Sequence, residues 1–398
     1  MEATCPQVID CSILANLTIA PVSPVFANDA VFTASDVYTQ IQPAKELIPC
    51  AAYDIGSGAT KFMGALVDAH THHIEQIFYN DIIPVAYRQD LINSGTNEFS
   101  DLIQDMGLTA LFDAKSKIEN AYVQHGLQDY GDIQHFAVAT AAFREASNGQ
   151  LVAEQFSQML DFKIDIISQE DEGKLAYHGA VAQVETSDEN PPIVWDIGGG
   201  SMQLTYKDVG DYFHVMQGKL ASATFLNLVN EQLPHQENGS LYPMNEVNVQ
   251  AAIDLAKQHL VFDQTTTDII KQQIVNDSPI LAVGSVHNFI IKPLCDLVGT
   301  PDKDSYSRQD LFQAIELLTD KSSDQIMNIT QELNPEFVKS KLTNLILVYA
   351  MMEKMDIPAI QVVGVSNVEG LLAQKAKPNK VVEPFITMSF PDEIRIVS

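Results

Sequence analysis

The chain contains one pattern twice: an apolar strand, a glycine-rich turn and a second strand. The first copy, CAAYDIGSGATKFMGALVDA, begins at Cys50, and the second, PIVWDIGGGSMQLTYKD, begins at Pro192. Each turn follows an aspartate, Asp54 in the first copy and Asp196 in the second. Apolar runs bounded by glycine are typical of strands. Because the same unit occurs in both halves, we predict a pseudo-symmetric α/β protein with a cleft between two lobes.

A polar, proline-ended segment, QVETSDENPP, separates the two copies and marks the predicted domain boundary. We expect an N-terminal extension over 1–48, a first domain over 49–186, a second domain over 187–358 and a tail over 377–398. The strand–turn–helix pattern of 359–376 is expected to pack back onto the first domain. Helical spacing appears over 101–125, and Ser307 with Asp310 predicts a capping box.

The balance of charge restricts the partners of the chain. Lys and Arg number 23 against 52 Asp and Glu, which gives a formal net charge of −29. Because binding to nucleic acid or to anionic lipid depends on cationic side chains, we expect neither kind of partner. A phosphorylated small molecule remains compatible, since backbone N–H groups or a bound metal can outweigh the global field locally.

Cysteine usage and hydropathy bear on the cellular compartment. The four cysteines lack CxxC spacing, which is typical of reduced, buried thiols in a cytosolic protein. No apolar stretch reaches the ~20 residues that a membrane-spanning helix needs. The first 44 residues contain no Lys or Arg, whereas an export signal begins with a basic region. We expect a cytoplasmic protein, although the apolar stretch 12–30 leaves export open.

The two glycine-rich turns have the chemistry of a phosphate site. Glycine lacks a Cβ, so backbone N–H groups can approach phosphate oxygens and form an anion-binding nest. Asp54 and Asp196 stand at strand ends, where each could hold a hydrated Mg²⁺ that neutralises the phosphate. One such turn is ordinary, but two at corresponding positions favour phosphate binding. The residues that we assign to phosphate binding are Gly56, Ser57 and Gly58 in the first turn and Gly198, Gly199, Gly200 and Ser201 in the second.

A helix is predicted to begin at Ser168, with the polar sequence QEDE over 169–172. One of its carboxylates could act as the general base that deprotonates a water for attack on phosphorus. The alternative is an exposed cap that complements the helix dipole. Arg144, after the strand AVATAAF, suits a bidentate contact with phosphate. Its alternative is a surface ion pair with Glu145.

At these motifs the sequence resembles the exopolyphosphatase and guanosine pentaphosphate phosphohydrolase (Ppx/GppA) family of the actin-like ATPase superfamily. AAYDIGSGATKF is similar to the family's first phosphate loop, AVATAAFREASNG to its Thr-x-x-x-Arg turn, IISQEDEGKLAYHGAV to its base-bearing helix and VWDIGGGSMQL to its second phosphate loop. AVGS, whose Gly284 and Ser285 would add phosphate contacts, and GVSNVEGLL match more loosely. The resemblance covers about residues 50–375 and implies an α/β fold of two actin-like, ribonuclease H-like domains with a cleft between them.

The resemblance also implies a role for each matching residue. The catalytic glutamate of the family falls on Glu172, with Asp171 before it, and the phosphate-binding arginine falls on Arg144. The metal-associated aspartate falls on Asp196, and Asp54 occupies the matching position of the first loop. Mg²⁺ or Mn²⁺ is the implied cofactor. Since the family often dimerises, a homodimer is implied as well.

Several positions depart from the family pattern. The first loop commonly has Ser-Asn-Ser where this chain has Ser57, Gly58 and Ala59. Gln203 replaces the glutamate that follows the second loop, and Val368 takes the place of the arginine in a late Gly-Leu-Arg-Glu-Gly signature. A neutral Gln203 near the metal predicts weaker metal affinity. The lost polar groups predict a shifted substrate preference or a reduced activity.

We therefore expect a metal-dependent phosphoanhydride hydrolase. It would release terminal phosphate from inorganic polyphosphate, guanosine pentaphosphate or both, by attack of a water that Glu172 activates. Two alternatives stay open. One is an ATPase or kinase of the actin-like superfamily, which would need an adenosine pocket whose Gly-Gly signature is not evident after Val283. The other is a catalytically weak phosphate or nucleotide sensor, which the departures from the family pattern favour.

Overall fold

The computed structural model describes residues 45–375 except 188, 238 and 300–303. Two β-sheets form the framework of this part of the chain. The strands are β1 (Leu47–Ile55), β2 (Ala59–Asp68), β3 (Ile74–Pro84), β4 (Gln134–Ala139), β5 (Ile164–Ile166), β6 (Ile193–Ile197), β7 (Met202–Lys207), β8 (Phe213–Gly218), β9 (Ile280–Val283), β10 (Ser305–Ser307) and β11 (Ala359–Val362). The predicted extension over 1–48 lies outside the described residues except for its last four, and the predicted tail over 377–398 lies outside them entirely.

Helices connect the strands and cover the sheets. They are α1 (Tyr87–Ser94), α2 (Asp101–Gln124), α3 (Ala141–Glu145), α4 (Gly149–Leu160), α5 (Gln169–Val181), α6 (Ser222–Gln232), α7 (Glu246–His259), α8 (Gln264–Val275), α9 (Lys292–Val298), α10 (Arg308–Leu318), α11 (Ser323–Thr330), α12 (Pro335–Val338), α13 (Lys341–Met355) and α14 (Asn367–Lys375). A π-helical segment, Val286–Ile291, leads into α9. The helix predicted over 101–125 is α2, and the capping box predicted at Ser307 and Asp310 is confirmed at the start of α10.

The two sheets repeat one topology. The first has the strand order β3-β2-β1-β4-β5, and the second, read as β8-β7-β6-β9-β11-β10, follows the same course with one extra edge strand. β1 is antiparallel to β2 and parallel to β4, just as β6 is antiparallel to β7 and parallel to β9. The prediction of an α/β protein with two related halves is thereby confirmed.

The central strand of the first sheet is apolar along its length because helices cover both of its faces. Successive side chains of a strand point to opposite faces. Tyr53 and Ile55 therefore enter a core with α2 and α4, whereas Cys50 and Ala52 enter a core with α5 and α14. This burial holds Asp54, between Tyr53 and Ile55, on a rigid element.

Helix α5 lies between the two sheets. Leu175 packs in the core that β1 and α14 share, while Ala176 and Tyr177 pack with Val194 of β6. The contact with α14 is so close that a Cβ on Gly370 would lie 2.0 Å from the Leu175 carbonyl oxygen. Because α5 contacts both domains, its first turn is fixed relative to both glycine-rich turns.

The segment 359–376 is divided between the two domains, and the prediction that it packs as a unit on the first domain is wrong for its strand. β11 joins the second sheet, where Gln361 pairs in parallel with Leu281 of β9. α14 packs on the first domain through Leu371 and Leu372. The parallel pairing satisfies the backbone N–H and C=O groups of β11, so only the helix returns to the first domain.

The cysteines of the described chain are buried. Cys50 and Cys295 are both free thiols, and Cys5 and Cys11 lie outside the described residues. Burial raises the pKa of both buried thiols, so neither is a reactive thiolate at neutral pH. Within the described ranges, no helix has the length and apolar character that crossing a membrane requires.

Candidate active site

The two glycine-rich turns are closed by the same hydrogen bond. In the first turn the Gly56 N–H donates to the Ala59 carbonyl oxygen, at 3.0 Å. In the second turn the Gly198 N–H donates to the Ser201 carbonyl oxygen, at 2.9 Å. Each donor stands two residues after its aspartate and each acceptor five residues after it. The sequence repeat therefore extends to individual backbone contacts.

The two turns face each other across the cleft. A Cβ on Gly200 would lie 3.0 Å from Ser57 Oγ, and a Cβ on Gly199 would lie 3.4 Å from Ser57 Cβ. Glycine permits this close approach. Backbone bonds hold both turns, since the Arg88 N–H donates to the Ser57 carbonyl oxygen and the Ala223 N–H donates to that of Gly199, each at 2.9 Å. The structure thus brings the residues of both predicted phosphate loops together.

Asp54 and Asp196 are buried close enough for their charges to interact. Burial raises the pKa of Asp54, and burial together with the Asp54 charge raises the pKa of Asp196 to about 6. Asp54 Oδ2 accepts a hydrogen bond from Asn367 Nδ2 at 3.4 Å, whereas its Oδ1 is buried without a hydrogen-bond partner. A buried, unpartnered carboxylate oxygen is costly unless a ligand satisfies it.

Each aspartate has a partner seven residues later on the neighbouring strand. Asp54 is directly opposite Lys61, and Asp196 is directly opposite Gln203. Opposed side chains share one face of a sheet. The positive charge of Lys61 lowers the pKa of both aspartates, against the effect of burial. Lys61 is therefore a site residue that the sequence analysis missed, and the shared spacing with Gln203 is the signal that could have found it.

Among residues 169–172, the structure turns one carboxylate inward. Gln169 Nε2 donates to two backbone carbonyl oxygens of the second domain, at 3.0 and 2.9 Å. Glu170 forms a surface ion pair, and Asp171 hydrogen-bonds the N-cap serine through its backbone and its side chain. The cap interpretation is thus correct for Asp171. Glu172, by contrast, is 5% exposed.

The inward carboxylate is paired with the predicted arginine. Arg144 Nη2 donates to Glu172 Oε2 at 2.8 Å, and its Nη1 donates to the Ile167 carbonyl oxygen at 3.0 Å. The alternative of a surface pair between Arg144 and Glu145 is wrong, because Glu145 pairs with Arg88. Two fixed contacts on one guanidinium hold its orientation.

The protonation of Glu172 is set by opposing effects. Burial raises the pKa of Glu172 to about 7, and the charges of Asp196 and Asp54 act in the same direction. The adjacent Arg144 lowers it. A carboxyl group with a pKa near neutrality can accept a proton during catalysis and return it afterwards.

The hydroxyl of Ser201 is oriented by its neighbours. Ser201 Oγ accepts hydrogen bonds from Gln203 Nε2 at 3.3 Å and from Arg144 Nη2 at 3.4 Å. A hydroxyl has two acceptor positions and one hydrogen. Because both acceptor positions are used, the hydrogen can be donated to a phosphate oxygen. The neutral side chain of Gln203 therefore helps to turn Ser201 into a donor.

The residues present fit one divalent cation. Among the residues that the structure describes, no three or more His, Cys, Asp or Glu side chains form a metal-binding group. Mg²⁺, however, is usually held by one or two carboxylates together with substrate phosphates and water. Asp54 and Asp196 supply two carboxylates, and the Oε1 atom of Gln203 is a buried, unpartnered neutral oxygen on the strand beside Asp196. Neutral Gln203 in place of a carboxylate lowers the charge available to the cation.

Gly284 and Ser285 lie beyond Asp196. Gly284 has φ +87°, and a Cβ there would lie 2.6 Å from Asp196 Oδ1, so both the backbone conformation and the close approach require glycine. Its N–H donates to the Val365 carbonyl oxygen at 3.1 Å. Ser285 lines a cavity of about 380 Å³ that Lys61 also lines. The predicted third phosphate contact thus lies beside the second aspartate.

Two positions that depart from the family pattern, Gly58 in the first loop and Val368 near the end of the chain, lie in different surroundings. Gly58 is exposed, and a Cβ there would have no neighbour within 4 Å, so packing does not demand glycine. Val368 is buried with Leu371 and Leu372 and lines the same cavity as Lys61. An apolar residue therefore stands where the family pattern has a cation.

Solved structures of similar shape support this architecture. The crystal structure of the Aquifex aeolicus member of the Ppx/GppA family matches with a TM-score of 0.58 and 15% identity, over 82% of this chain and 97% of that one. A structure of an exopolyphosphatase from Cytophaga hutchinsonii matches with a TM-score of 0.60 and 15% identity, over 81% of this chain and 96% of that one. At such low identity the similarity shows the fold, and it confirms the predicted two-domain architecture.

The sequence itself matches a family model. The model of the Ppx/GppA phosphatase family matches residues 122–378, which is well over half of the 398 residues. The match includes Arg144, Glu172, the second glycine-rich turn and Gly284. On this evidence the chain belongs to the Ppx/GppA phosphatase family.

Proposed function

We propose that the protein is a metal-dependent phosphoanhydride hydrolase that releases the terminal phosphate of its substrate. The observation that carries the proposal is the buried pair of Glu172 and Arg144, joined at 2.8 Å beside two facing glycine-rich turns. Inorganic polyphosphate and a phosphorylated guanosine nucleotide are the candidate substrates that the family membership suggests.

Glu172 is proposed as the general base. Its Oε2 is engaged by Arg144, which leaves Oε1 to accept a proton from the attacking water. Since the pKa of Glu172 is about 7, the group is largely ionised above neutral pH and can still hold the proton that it takes. General-base catalysis of this kind contributes roughly 10²–10⁴-fold in rate.

The remaining residues bind and neutralise the phosphate. Backbone N–H groups of the turns around Ser57 and Ser201 surround the terminal phosphate, and the Ser201 hydroxyl donates to one of its oxygens. Arg144 and Lys61 offset the negative charge that spreads over the phosphoryl oxygens as the bond to the leaving group lengthens. Asp54 and Asp196 would hold Mg²⁺ or Mn²⁺, which supplies Lewis-acid neutralisation of phosphate oxygens when bound.

The test of the proposed base is a comparison of two acids on the same helical turn. Glu172→Gln should lower kcat for phosphate release by about 10²-fold or more, because the amide cannot take a proton. Inorganic phosphate should still bind, as measured by calorimetry. Glu170→Gln is the matched control, since Glu170 lies at the surface and pairs there with Lys174, and it should retain wild-type turnover.

Two results would count against this function. Turnover at the wild-type rate in Glu172→Gln would remove Glu172 as the base. Binding of phosphate or nucleotide by the wild-type protein without any phosphate release, across Mg²⁺ and Mn²⁺, would instead support the sensor that the neutral Gln203 and Val368 suggest.

A further inference from the structure

A cavity continues from the phosphate site. It has a volume of about 380 Å³ and lies between β2 and β3 of the first domain, the π-helical segment of the second domain and the segment that leads into α14, including the first turn of that helix. Lys61 and Gly284 both line it, and a Cβ on Gly284 would lie 2.6 Å from Asp196 Oδ1, so the cavity borders the second aspartate. Because small-molecule sites usually occupy about 300–1,000 Å³, the cavity can hold the part of a substrate that follows its terminal phosphates.

The charges around the cavity do not suit a chain of phosphates. Of the described residues that line it, Lys61 alone is cationic, while Asp81 and Glu369 bear carboxyl groups. Lys117 pairs with Asp81 at 3.4 Å, and Glu369 accepts hydrogen bonds from Ser366. Lys117 also pairs with Asp113 at 2.9 Å. With both partners of Lys117 included, positive charge does not exceed negative charge, even though burial raises the pKa of Glu369. Every further phosphate placed here would be uncompensated.

The rest of the lining is apolar or neutral. Val365 and Val368 are buried in its wall, and the exposed Phe289 ring stands at its rim. Asn80 and Asn288 add amide groups. Aromatic and aliphatic surface with a few neutral hydrogen-bonding groups is the lining that binds uncharged organic molecules.

We propose that this cavity receives the uncharged body of a phosphorylated organic substrate, of the size and chemistry of a nucleoside. The inference rests on the proposed hydrolase and narrows its substrate class: a nucleoside triphosphate or a similarly capped phosphoanhydride is preferred over long-chain inorganic polyphosphate. The net charge of −29 also disfavours long-chain polyphosphate, because it repels a long polyanion before the polyanion reaches the cleft.

Binding can be tested without turnover, in Glu172→Gln protein with Mg²⁺. Dissociation constants are measured by calorimetry for guanosine and adenosine triphosphates and for tripolyphosphate, which has the phosphates but lacks the nucleoside. We expect at least one nucleoside triphosphate to bind about tenfold or more tightly than tripolyphosphate. Equal binding, or tighter binding of tripolyphosphate, would overturn the proposal.

Two substitutions address the cavity itself. Gly364 lines it, and a Cβ there has no neighbour within 4 Å, so Gly364→Leu fills space without a backbone clash. It should remove most of the preference for nucleotide while leaving tripolyphosphate binding within about twofold.

Phe289→Lys adds a cation at the rim and should shift binding toward tripolyphosphate. Phe337→Lys, at an exposed phenylalanine outside the cavity, is the control. It should change neither the preference for nucleotide nor the affinity for tripolyphosphate.

The outcomes separate this inference from the proposed activity. A nucleotide preference that Gly364→Leu leaves intact would place the nucleoside elsewhere and overturn the inference. Selective nucleotide binding that Gly364→Leu abolishes would support it, even if wild-type protein releases no phosphate. Absence of phosphate release would contradict the proposed hydrolase activity but not the proposed nucleoside site.

Discussion

At the scale of single residues, Glu172 illustrates how one carboxylate among several acquires a distinct environment. Glu170, Asp171 and Glu172 follow one another at the start of α5, but only Glu172 is buried and paired with Arg144. Burial makes its charged form unfavourable, and the nearby carboxylates add to that effect. The site therefore carries a cost in stability for holding a buried carboxyl group with a pKa near neutrality.

This cost has a predictable pH dependence. The pKa of Glu172 rises from 4.5 to about 7 on folding, so folding favours the protonated form, and the stability that this supplies is present below pH 4.5 and lost as pH rises toward 7. Glutamine resembles the protonated acid. Without divalent cations, Glu172→Gln should therefore be about 1–3 kcal/mol more stable than wild type at pH 8, with a much smaller difference at pH 5.

Denaturant unfolding at the two pH values measures the difference. Glu170→Gln is again the control, because a surface pair at i and i+4 contributes only about 0.3–0.5 kcal/mol. A Glu172→Gln variant no more stable than wild type at pH 8 would mean that burial does not dominate at this position.

At the scale of elements, the crossing of α5 and α14 holds Glu172, the proposed base, in place. A Cβ on Gly370 would meet the Leu175 carbonyl oxygen at 2.0 Å, and one on Gly179 would lie 3.1 Å from the Gly370 backbone nitrogen. The two helices can touch only because glycines stand at the crossing. Since Glu172 is one turn before Leu175, the crossing also sets the depth of the carboxylate in the cleft.

Gly370→Ala should force the helices apart. Overpacking usually lowers the free energy of unfolding by about 1–3 kcal/mol. Because the clash here is with backbone atoms, which cannot rotate away, we expect a loss at or above the upper end of that range. Thermal unfolding should show the loss, and kcat should fall with it because Glu172 moves. Gly364→Ala, three residues before α14 and with open space around its Cβ, should leave the unfolding temperature unchanged; an equal loss of stability in the two variants would refute the steric argument.

At the scale of the whole molecule, the charge balance governs stability in solution. With 52 acidic and 23 basic residues, the folded chain repels itself, and salt screens that repulsion. Raising NaCl from about 10 mM to about 300 mM at pH 8 should increase Tm by about 3 °C or more. At pH 5, where more carboxyl groups are protonated, the increase should be smaller. A Tm that falls with salt at pH 8 would show that attractive ion pairs outweigh the repulsion.

Much of the fold could be predicted from local patterns. The two Asp-Gly turns, the strands around them and the capped helices α5 and α10 depend on neighbours in sequence: glycine at a tight turn, apolar residues along a buried strand, serine before a helix. The same patterns identified Asp54, Asp196 and Arg144 as candidates and limited the candidate base to the carboxylates of 169–172, among which the resemblance to the family selected Glu172. These features are determined locally, so the sequence alone was sufficient for them.

Other features depend on contacts between distant segments. The rotation of α5 against two sheets decides that Glu172, and not Asp171, faces the cleft. The pairing of β11 with β9 places the strand in the second sheet while α14 returns to the first. Lys61 enters the site through its register opposite Asp54.

The cavity is the clearest case of a property that only the tertiary structure decided. Its walls come from β2, β3, the segment after β9 and the start of α14 with the residues before it, and no local pattern links these segments. The sequence by itself determined which groups are candidates for a phosphate site, because glycine-rich turns, aspartates and a glutamate at a helix start can be read from local patterns. Packing of the two domains decided which of those groups meet and which residues line the cavity beside them, because burial and charge compensation exist only once the chain has folded.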